Sequence, residues 1–241
     1  KEFVQWIKKE LKLSIKIIDG NKEARYGGIA AVNLLPIHEG ISIDIGGGSS
    51  DITLMREGHI VDTYSLNLGT VRLKELFFDK GLNPEAINKS AKTYIQNELK
   101  YLPAHFRHAL AIGIGGTART LSKGIMKQAA YPLEKLHAFS YNVKEYKDYL
   151  DAIPLSSAKN LKKFGLKKNR FETIRDGTMI FNEIIYHIGT ETVISSSVGV
   201  REGVFLEQLL REDNLTFPSH ITPSIVSILD RFKPLTNIEK K

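Results

Sequence analysis

Hydrophobic and polar positions follow two recurring periods along this chain. Apolar runs typical of buried strands occur at residues 41–46, 52–55, 59–66, 109–114 and 193–197. Between them, apolar residues recur every three or four positions, which is the period of an amphipathic helix. The sequence therefore predicts a three-stranded meander followed by helix, strand, helix, strand and helix. This order is typical of an α/β protein with a mixed sheet and helices on both faces.

Further elements are predicted at the start of the chain and between the strands. An amphipathic helix is expected over residues 1–12 and a short strand over residues 14–18. Asp19 or Asn21 is expected to cap a second helix that ends near Pro36. Helices are also predicted over residues 70–78, 83–99, 201–211 and 221–232, from Ala118 onward, and as two or three helices within 143–188.

The segment between Ile41 and Asp51, Ile-Ser-Ile-Asp-Ile-Gly-Gly-Gly-Ser-Ser-Asp, is typical of a phosphate site. Glycines leave the backbone N–H groups unhindered, so that successive amides can surround phosphate oxygens. The expected phosphate ligands are Gly46, Gly47, Gly48 and Ser49. Asp44 and Asp51 would repel a phosphate unless a cation lies between them, and Mg²⁺ is the expected cation. In the competing interpretation, Asp44 accepts hydrogen bonds from the amides of its own loop.

A second glycine-rich segment runs from Gly113 to Thr117, Gly-Ile-Gly-Gly-Thr, between an apolar strand and a predicted helix. The N-terminus of a helix presents free N–H groups and a partial positive charge, which together favour an anion. The expected ligands here are Gly115, Gly116 and Thr117. Glycines at such a junction also serve close packing alone. Two loops of this kind in one chain favour a cleft that holds two phosphates of one substrate.

Charged residues outside the two loops are less specific. Glu23, in the first turn of a predicted helix, is typical of a solvated residue stabilised by the helix dipole. The lysines and the arginine between residues 159 and 170 are interpreted as a solvated face, or alternatively as a track for a long polyanion. His105 and His108 have no matching acid nearby, so we assign them a surface or core role rather than a metal site.

The composition excludes several classes of protein. The chain has 241 residues, of which 42% are hydrophobic and 25% charged, and it contains no cysteine. Disulfide frameworks and thiolate zinc sites are therefore excluded, and a reducing, cytoplasmic location is expected. No apolar run approaches the roughly 18 residues of a membrane span. The net charge of +7 suggests an anionic partner; no nucleic-acid or membrane partner is expected.

Five motifs occur in an order that resembles the Ppx/GppA phosphatase family. They are Asn21-Lys22-Glu23-Ala24-Arg25-Tyr26, Ile43-Asp44-Ile45-Gly46-Gly47-Gly48-Ser49-Ser50-Asp51, Leu68-Gly69-Thr70-Val71-Arg72-Leu73, Gly113-Ile114-Gly115-Gly116-Thr117-Ala118 and Val200-Arg201-Glu202-Gly203-Val204. The resemblance implies an actin-like ATPase fold of the ribonuclease H-like type. It also implies that Glu23 activates or positions the attacking water. Asp44 and Asp51 match acidic positions tied to Mg²⁺, although the family often has Glu where Asp51 stands.

The resemblance implies hydrolysis of a phosphoanhydride. An exopolyphosphatase that releases orthophosphate from inorganic polyphosphate, with Mg²⁺, is the leading hypothesis. The same residues would serve a phosphohydrolase of guanosine pentaphosphate, the stringent-response alarmone. A module that binds guanosine phosphates or other nucleotides without hydrolysing them is a third alternative, and a homodimer is left open.

The family pattern also leads to an expectation about domains. Its Asp-x-Gly-Ser-x-Ser phosphate loop, which lies in an N-terminal domain, has no counterpart in these residues, and neither does the C-terminal HD-type domain of longer members. We therefore expect residues 1–22 to be the end of a mostly missing actin-like domain. Residues 23–210 are expected to form the second actin-like, phosphate-binding domain, and residues 211–241 a helical tail. Activity of the chain alone is left open.

Overall fold

The computed structural model describes residues 2–77, 84–157 and 159–217. Within these ranges the chain forms eight α-helices and six β-strands. The helices are α1 (Glu2–Leu11), α2 (Gly20–Leu34), α3 (Thr70–Phe77), α4 (Pro84–Leu99), α5 (Gly115–Gln128), α6 (Lys147–Leu155), α7 (Ile174–His187) and α8 (Val200–Leu209). The strands are β1 (Gly40–Ile45), β2 (Ser50–Arg56), β3 (His59–Leu66), β4 (Leu110–Ile114), β5 (Ser140–Asn142) and β6 (Thr192–Ser195).

The six strands form one mixed sheet in the order β3-β2-β1-β4-β6-β5. The first three strands pair as antiparallel neighbours, β1 with β2 and β2 with β3, which confirms the predicted meander. β1, β4 and β6 are parallel neighbours, whereas β5 runs antiparallel at the edge. Because parallel strands are joined by crossover helices, the centre of this sheet is covered on both faces.

Alternate residues of the central strands serve the two faces. Ile41, Ile43 and Ile45 of β1 belong to the large core beneath α3 to α7. Ile112 and Ile114 of β4 lie in the smaller core on the opposite face, which α2 covers. Helix α8 packs on the outside of α2. Helices therefore lie on both faces, as predicted.

Helix α2 packs closely on the sheet through Ala24 and Gly28. Its N-cap is Asp19, whose carboxylate accepts a hydrogen bond from the Lys22 N–H at 2.8 Å. One helical turn further on, the Thr53 hydroxyl of β2 donates to the Ala24 carbonyl at 2.7 Å. A Cβ on Gly28 would lie 2.5 Å from the Thr53 methyl group, so glycine permits this approach. These contacts hold the first half of α2 against the middle of β2.

Two local predictions were wrong, and one element was missed. Residues 12–19 form no strand, and Leu13 and Ile17 are exposed, because no neighbouring strand pairs with this segment. Helix α5 begins at Gly115 rather than Ala118, since the positive φ of Gly115 (+76°) turns the chain directly from β4 into the helix. Strand β5 has only three residues, too few for a periodic pattern.

The expected domain limits stay predictions. The limit after residue 22 falls within the first turn of α2. The helix predicted over residues 221–232 lies outside the described residues.

Candidate functional site

The two glycine-rich segments lie side by side because β1 and β4 are parallel neighbours. Asp44 pairs with Ile114 in the β1–β4 register, so both chains leave the sheet at the same edge. A Cβ on Gly115 would overlap Oδ1 of Asp44, and glycine therefore lets this carboxylate lie against the start of α5. Carboxyl ends of parallel strands are where α/β proteins bind ligands.

The first glycine loop is held in place by the N-terminus of α3. The N–H groups of Thr70 and Val71 donate to the carbonyls of Gly46 and Gly47 at 3.0 and 2.9 Å. The Gly46 N–H donates to the Ser49 carbonyl at 2.9 Å, so this amide is already occupied. Gly47 and Gly48 are exposed, and their N–H groups have no partner in the part of the chain described. These two amides are available to an anion.

The N-terminus of α5 forms the opposite side of the site. Its N-cap, Ile114, has no side chain that could accept from the first amides of the helix. The N–H groups at the start of a helix have no partner within the helix, and here they meet the positive end of its dipole. The Arg170 guanidinium lies directly over this turn, with one nitrogen 2.8 Å from the position that a Cβ on Gly116 would take. Amides and guanidinium together favour an anionic group at this point.

Thr117 occupies the inner part of the same turn and is buried. Its hydroxyl faces Gly177 of α7, where a Cβ would lie 2.5 Å away. That same Cβ would also lie 3.2 Å from the methyl group of Thr70. The first turns of α3, α5 and α7 therefore meet around Gly177.

Three carboxylates lie on the α2 side of this edge. Asp44 and Asp51 are directly opposite in the β1–β2 register, and their side chains therefore share one face of the sheet. Glu23 is exposed in the first turn of α2, and its charge acts on both aspartates. Asp51 is buried and accepts a hydrogen bond from the Ser65 hydroxyl at 2.6 Å. A Cβ on Gly20 would overlap that hydroxyl, which explains why α2 begins with glycine.

Burial sets the protonation of the aspartates. Desolvation raises the pKa of Asp51 to about 6, against the opposing hydrogen bond from Ser65. The pKa of Asp44 is also raised by burial, while the positive charge of Arg119 lowers it and Glu23 adds to the rise. Two neighbouring acids whose pKa values are raised, mainly by burial, are typical of a functional site.

The structure brings together the residues that the sequence singled out and adds others. The Gly46 N–H donates to the Ser49 carbonyl, and no hydrogen bond from the amides of residues 46–49 to Asp44 is found in the described part of the chain, so the competing interpretation, in which Asp44 accepts from its own loop, finds no support there. Arg119 and Arg170 were missed. Arg119, whose Nε donates to the Gly115 carbonyl at 2.9 Å, follows the second glycine motif and could have been found from its helical position. Arg170 is distant in sequence, and nothing in its local pattern separated it from the basic run.

The two histidines singled out in the sequence, His105 and His108, both make contacts with other residues. His105 pairs with Asp62 at 2.7 Å on the surface, and His108 accepts a hydrogen bond from the Leu110 N–H at 2.9 Å. His108 also lies 3.7 Å from the Glu39 carboxylate, so each histidine has a partner that its own sequence neighbourhood did not indicate. No group of three His, Cys, Asp or Glu side chains within the described ranges has the geometry of a complete metal site. None of the helices described is both long and apolar enough to span a membrane.

We expect the replacement Asp51→Asn to stabilise the fold above pH 6 in Mg²⁺-free buffer. The pKa of this acid is about 6 in the folded chain and about 3.9 in the unfolded chain. Between pH 4 and 6 the unfolded chain therefore loses its proton first, and the free energy of unfolding falls as the pH rises. Asn keeps an acceptor for Ser65 and removes this loss, which should stabilise the variant by about 2 kcal/mol at pH 7.5. Below pH 4 the two proteins should be equally stable. Urea unfolding across this pH range measures the difference, and a constant difference at every pH would contradict the assigned pKa.

Comparison with known proteins identifies a family. The model of the Ppx/GppA phosphatase family matches residues 1–212. The crystal structure of the Ppx/GppA family member of Aquifex aeolicus is 26% identical and superposes with a TM-score of 0.72, covering 88% of this chain and 70% of that one. An exopolyphosphatase from Cytophaga hutchinsonii is 19% identical with a TM-score of 0.72, covering 86% of this chain and 69% of that one. At that identity the second likeness shows the fold alone.

A curated relative from Fusobacterium nucleatum is named a bifunctional 3-dehydroquinate synthase/phosphatase. It is 32% identical over 218 residues, which are 85% of this chain and 32% of that protein. The chain thus spans about a third of the length of this relative. The structural likeness confirms the predicted actin-like ATPase fold with its mixed sheet and flanking helices.

Proposed function

Because this chain belongs to the Ppx/GppA phosphatase family, we propose that it releases terminal orthophosphate from inorganic polyphosphate, as an exopolyphosphatase. The family is one of phosphatases, and the Fusobacterium relative also carries phosphatase in its name. The observation that carries the proposal is the junction of the open α5 N-terminus, the Arg170 guanidinium and the paired aspartates at one edge of the sheet.

Charge complementarity supports a polyanionic substrate. The amides of Gly47 and Gly48 lie on one side of the site, and the first amides of α5 lie on the other. Arg170 can pair with a phosphate through two of its N–H groups, which a point charge cannot do. The excess of 34 Lys and Arg over 27 Asp and Glu residues adds a positive field that attracts a long polyanion.

The aspartate pair fits a magnesium ion. Like charges directly opposite on neighbouring strands destabilise a sheet, and a divalent cation removes that repulsion. Mg²⁺ is commonly bound by one or two carboxylates together with waters and substrate phosphates, so a site of two acids suits its chemistry. Asp44 and Asp51 would hold it. When bound, the ion supplies positive charge that neutralises the phosphate oxygens.

Glu23 is the proposed catalytic residue. Its exposed carboxylate can accept a proton from a water molecule and orient that water toward the terminal phosphorus. The oxygen of the water forms the new bond to phosphorus, while the bridging P–O bond breaks and its electrons remain on the shortened polyphosphate. Such a transition state depends mainly on positioning and on electrostatic stabilisation, which amides and Arg170 would supply.

The test compares two substrates on the complete gene product with Mg²⁺ present. We expect orthophosphate release from long-chain polyphosphate to exceed release from guanosine pentaphosphate by at least about tenfold in kcat/KM. EDTA should abolish the release. The preference for polyphosphate over the alarmone is the part of the proposal that this ratio tests.

Each other outcome replaces the proposal with a named alternative. Release from guanosine pentaphosphate alone would make the protein an alarmone phosphohydrolase. Saturable binding of either compound without release would indicate a non-catalytic binding module.

A further inference from the structure

The basic run between Lys159 and Arg170 extends well beyond the phosphate site. It contains no acidic residue. Its lysines are all exposed, and none has a carboxylate within ion-pair distance in the described part of the chain; they are Lys159, Lys162, Lys163, Lys167 and Lys168. A dense group of unpaired like charges attracts an anionic partner.

This run lies along helix α5. A Cβ on Gly165 would lie 3.2 Å from Cδ of Lys127 and 3.8 Å from the Cα of Gly124, so the middle of the run contacts the C-terminal half of the helix. Its end, Arg170, lies over Gly116 in the first turn. The run and the helix therefore pass side by side in opposite directions, and the run leads into the phosphate site.

Helix α5 adds positive charge along the same path. Lys123 and Lys127 follow Gly116 at the helical period and lie on the same face of the helix. Both lysines are exposed, and the helix contains no acidic residue. A rise of about 1.5 Å per residue places Lys127 about 16 Å from Gly116 along the axis. Positive charge therefore continues from the phosphate site along the length of α5.

The far end of this path opens into a cavity of about 540 Å³. Lys127 lines it from α5, and Lys162 and Lys163 line it from the basic run. Asp148 is the one acid among its lining residues. The field inside the cavity is therefore positive.

The backbone that carries these lysines is anchored. The Tyr149 hydroxyl donates to the Phe164 carbonyl at 3.0 Å, and the two rings meet edge to face. A Cβ on Gly124 would overlap that hydroxyl, so glycine permits the close approach. Leu161 and Leu166 are buried in the large core on either side of this contact. The position of the cavity relative to α5 is therefore fixed.

We propose that this basic ridge, formed by Arg170, Lys123, Lys127, Lys162 and Lys163, binds the distal part of a polyphosphate chain whose terminal phosphate occupies the phosphate site. This role rests on the proposed function and concerns the substrate beyond the reacting bond. Lysine is a point charge on a flexible stem. It can pair with successive phosphates in any register, so the chain can advance after each orthophosphate is released. Long chains should therefore bind more tightly than short ones.

The ridge suits an inorganic chain better than a nucleic acid. Proteins that bind single-stranded nucleic acids stack the bases on aromatic side chains. Phe164 is the one aromatic residue within residues 116–127 and 159–170, and its ring packs against Tyr149 and the core. The ridge therefore offers charge without a stacking surface.

The test compares long-chain polyphosphate with tripolyphosphate on the complete gene product with Mg²⁺. The double replacement of Lys162→Gln and Lys163→Gln should raise KM for the long chain about tenfold and KM for tripolyphosphate less than about twofold. Lys127→Gln, on the opposite wall of the cavity, is an independent variant and should raise KM for the long chain about threefold. The effect should fall on KM rather than on kcat, because these lysines lie away from the reacting phosphate.

Binding without turnover is measured by calorimetry in EDTA at several salt concentrations. The double variant should reduce the slope of log affinity for the long chain against log salt concentration by about 1.4, the value for the loss of two contacts to a single-stranded polyanion. Lys89→Gln with Lys100→Gln is the matched control. It removes the same charge from exposed positions in and just after α4, and it should keep the original KM and slope.

Three results would overturn the proposal. Equal changes in the double variant and its control would show an effect of net charge alone. Equal increases in KM for the two substrates would place the lysines at the reacting phosphate. Tighter binding of single-stranded RNA than of polyphosphate of the same length would make the ridge a nucleic-acid surface. If the unchanged protein releases no orthophosphate, the proposed function fails, and the salt slopes in EDTA alone decide whether the ridge binds polyphosphate.

Discussion

The replacement Glu23→Gln should lower orthophosphate release from polyphosphate at least about 100-fold while polyphosphate binding is retained. Glutamine keeps the size of the side chain and one hydrogen-bond acceptor, but it cannot take a proton from water. Glu23 lies on the exposed first turn of α2 and makes no contact that the core requires. Folding should therefore be unaffected.

Release and binding are measured separately on the complete gene product. Malachite-green detection of orthophosphate gives kcat and KM, and calorimetry with polyphosphate in EDTA gives the affinity. A loss in kcat at constant affinity is the signature of a group that acts in the transition state.

Glu57→Gln is the matched control for this prediction. Glu57 is an equally exposed glutamate in the turn between β2 and β3. Since β2 has seven residues, Glu57 lies roughly 20 Å from Asp51. This variant should keep full activity. Undiminished turnover in Glu23→Gln would remove this residue from the catalytic role.

The replacement Gly203→Ala should lower the free energy of unfolding by about 3 kcal/mol. Gly203 lies where α8 crosses α2, and a Cβ there would overlap the Tyr26 carbonyl oxygen and lie 2.8 Å from the Tyr26 Cα. Backbone atoms inside a packed helix cannot move aside as a flexible side chain can. The two helices must separate, which disturbs the buried cluster of Tyr26, Ile29, Leu206 and Leu210.

Thermal and urea unfolding monitored by circular dichroism measure this effect. Gly48→Ala is the glycine control, because a Cβ at that position meets no atom within 4 Å. We expect this control to unfold within about 0.5 kcal/mol of the unchanged protein. Equal losses in the two variants would show that the α2–α8 contact is not the cause.

Elements with a strong local signal were predictable from sequence. The apolar run at residues 41–46 indicated β1, and the large core contains Ile41, Ile43 and Ile45 of that strand. Asp19 was one of two predicted caps for α2, and its side chain makes the capping hydrogen bond. These features depend on residues a few positions apart, where geometry follows directly from the helical or strand period.

Other features were predicted wrongly because they depend on more than the residues a few positions apart. The apolar alternation between Leu13 and Ile17 has the period of a strand, yet a strand needs a hydrogen-bonding neighbour that the pattern does not encode. The start of α5 depended on the positive φ of Gly115, which the letter G permits but does not require.

The five motifs and their order were sufficient to predict the family, and through the family the fold. Each motif, including the two glycine loops, is a run of neighbouring residues and can therefore be recognised in the sequence alone. The tertiary structure decided the rest. It placed Arg170 over the α5 N-terminus, set Asp44 against Gly115 and fixed the first glycine loop by hydrogen bonds from the first turn of α3. Each of these facts is a distance between elements that only sheet pairing and helix packing bring together, and no local period in the sequence carries it.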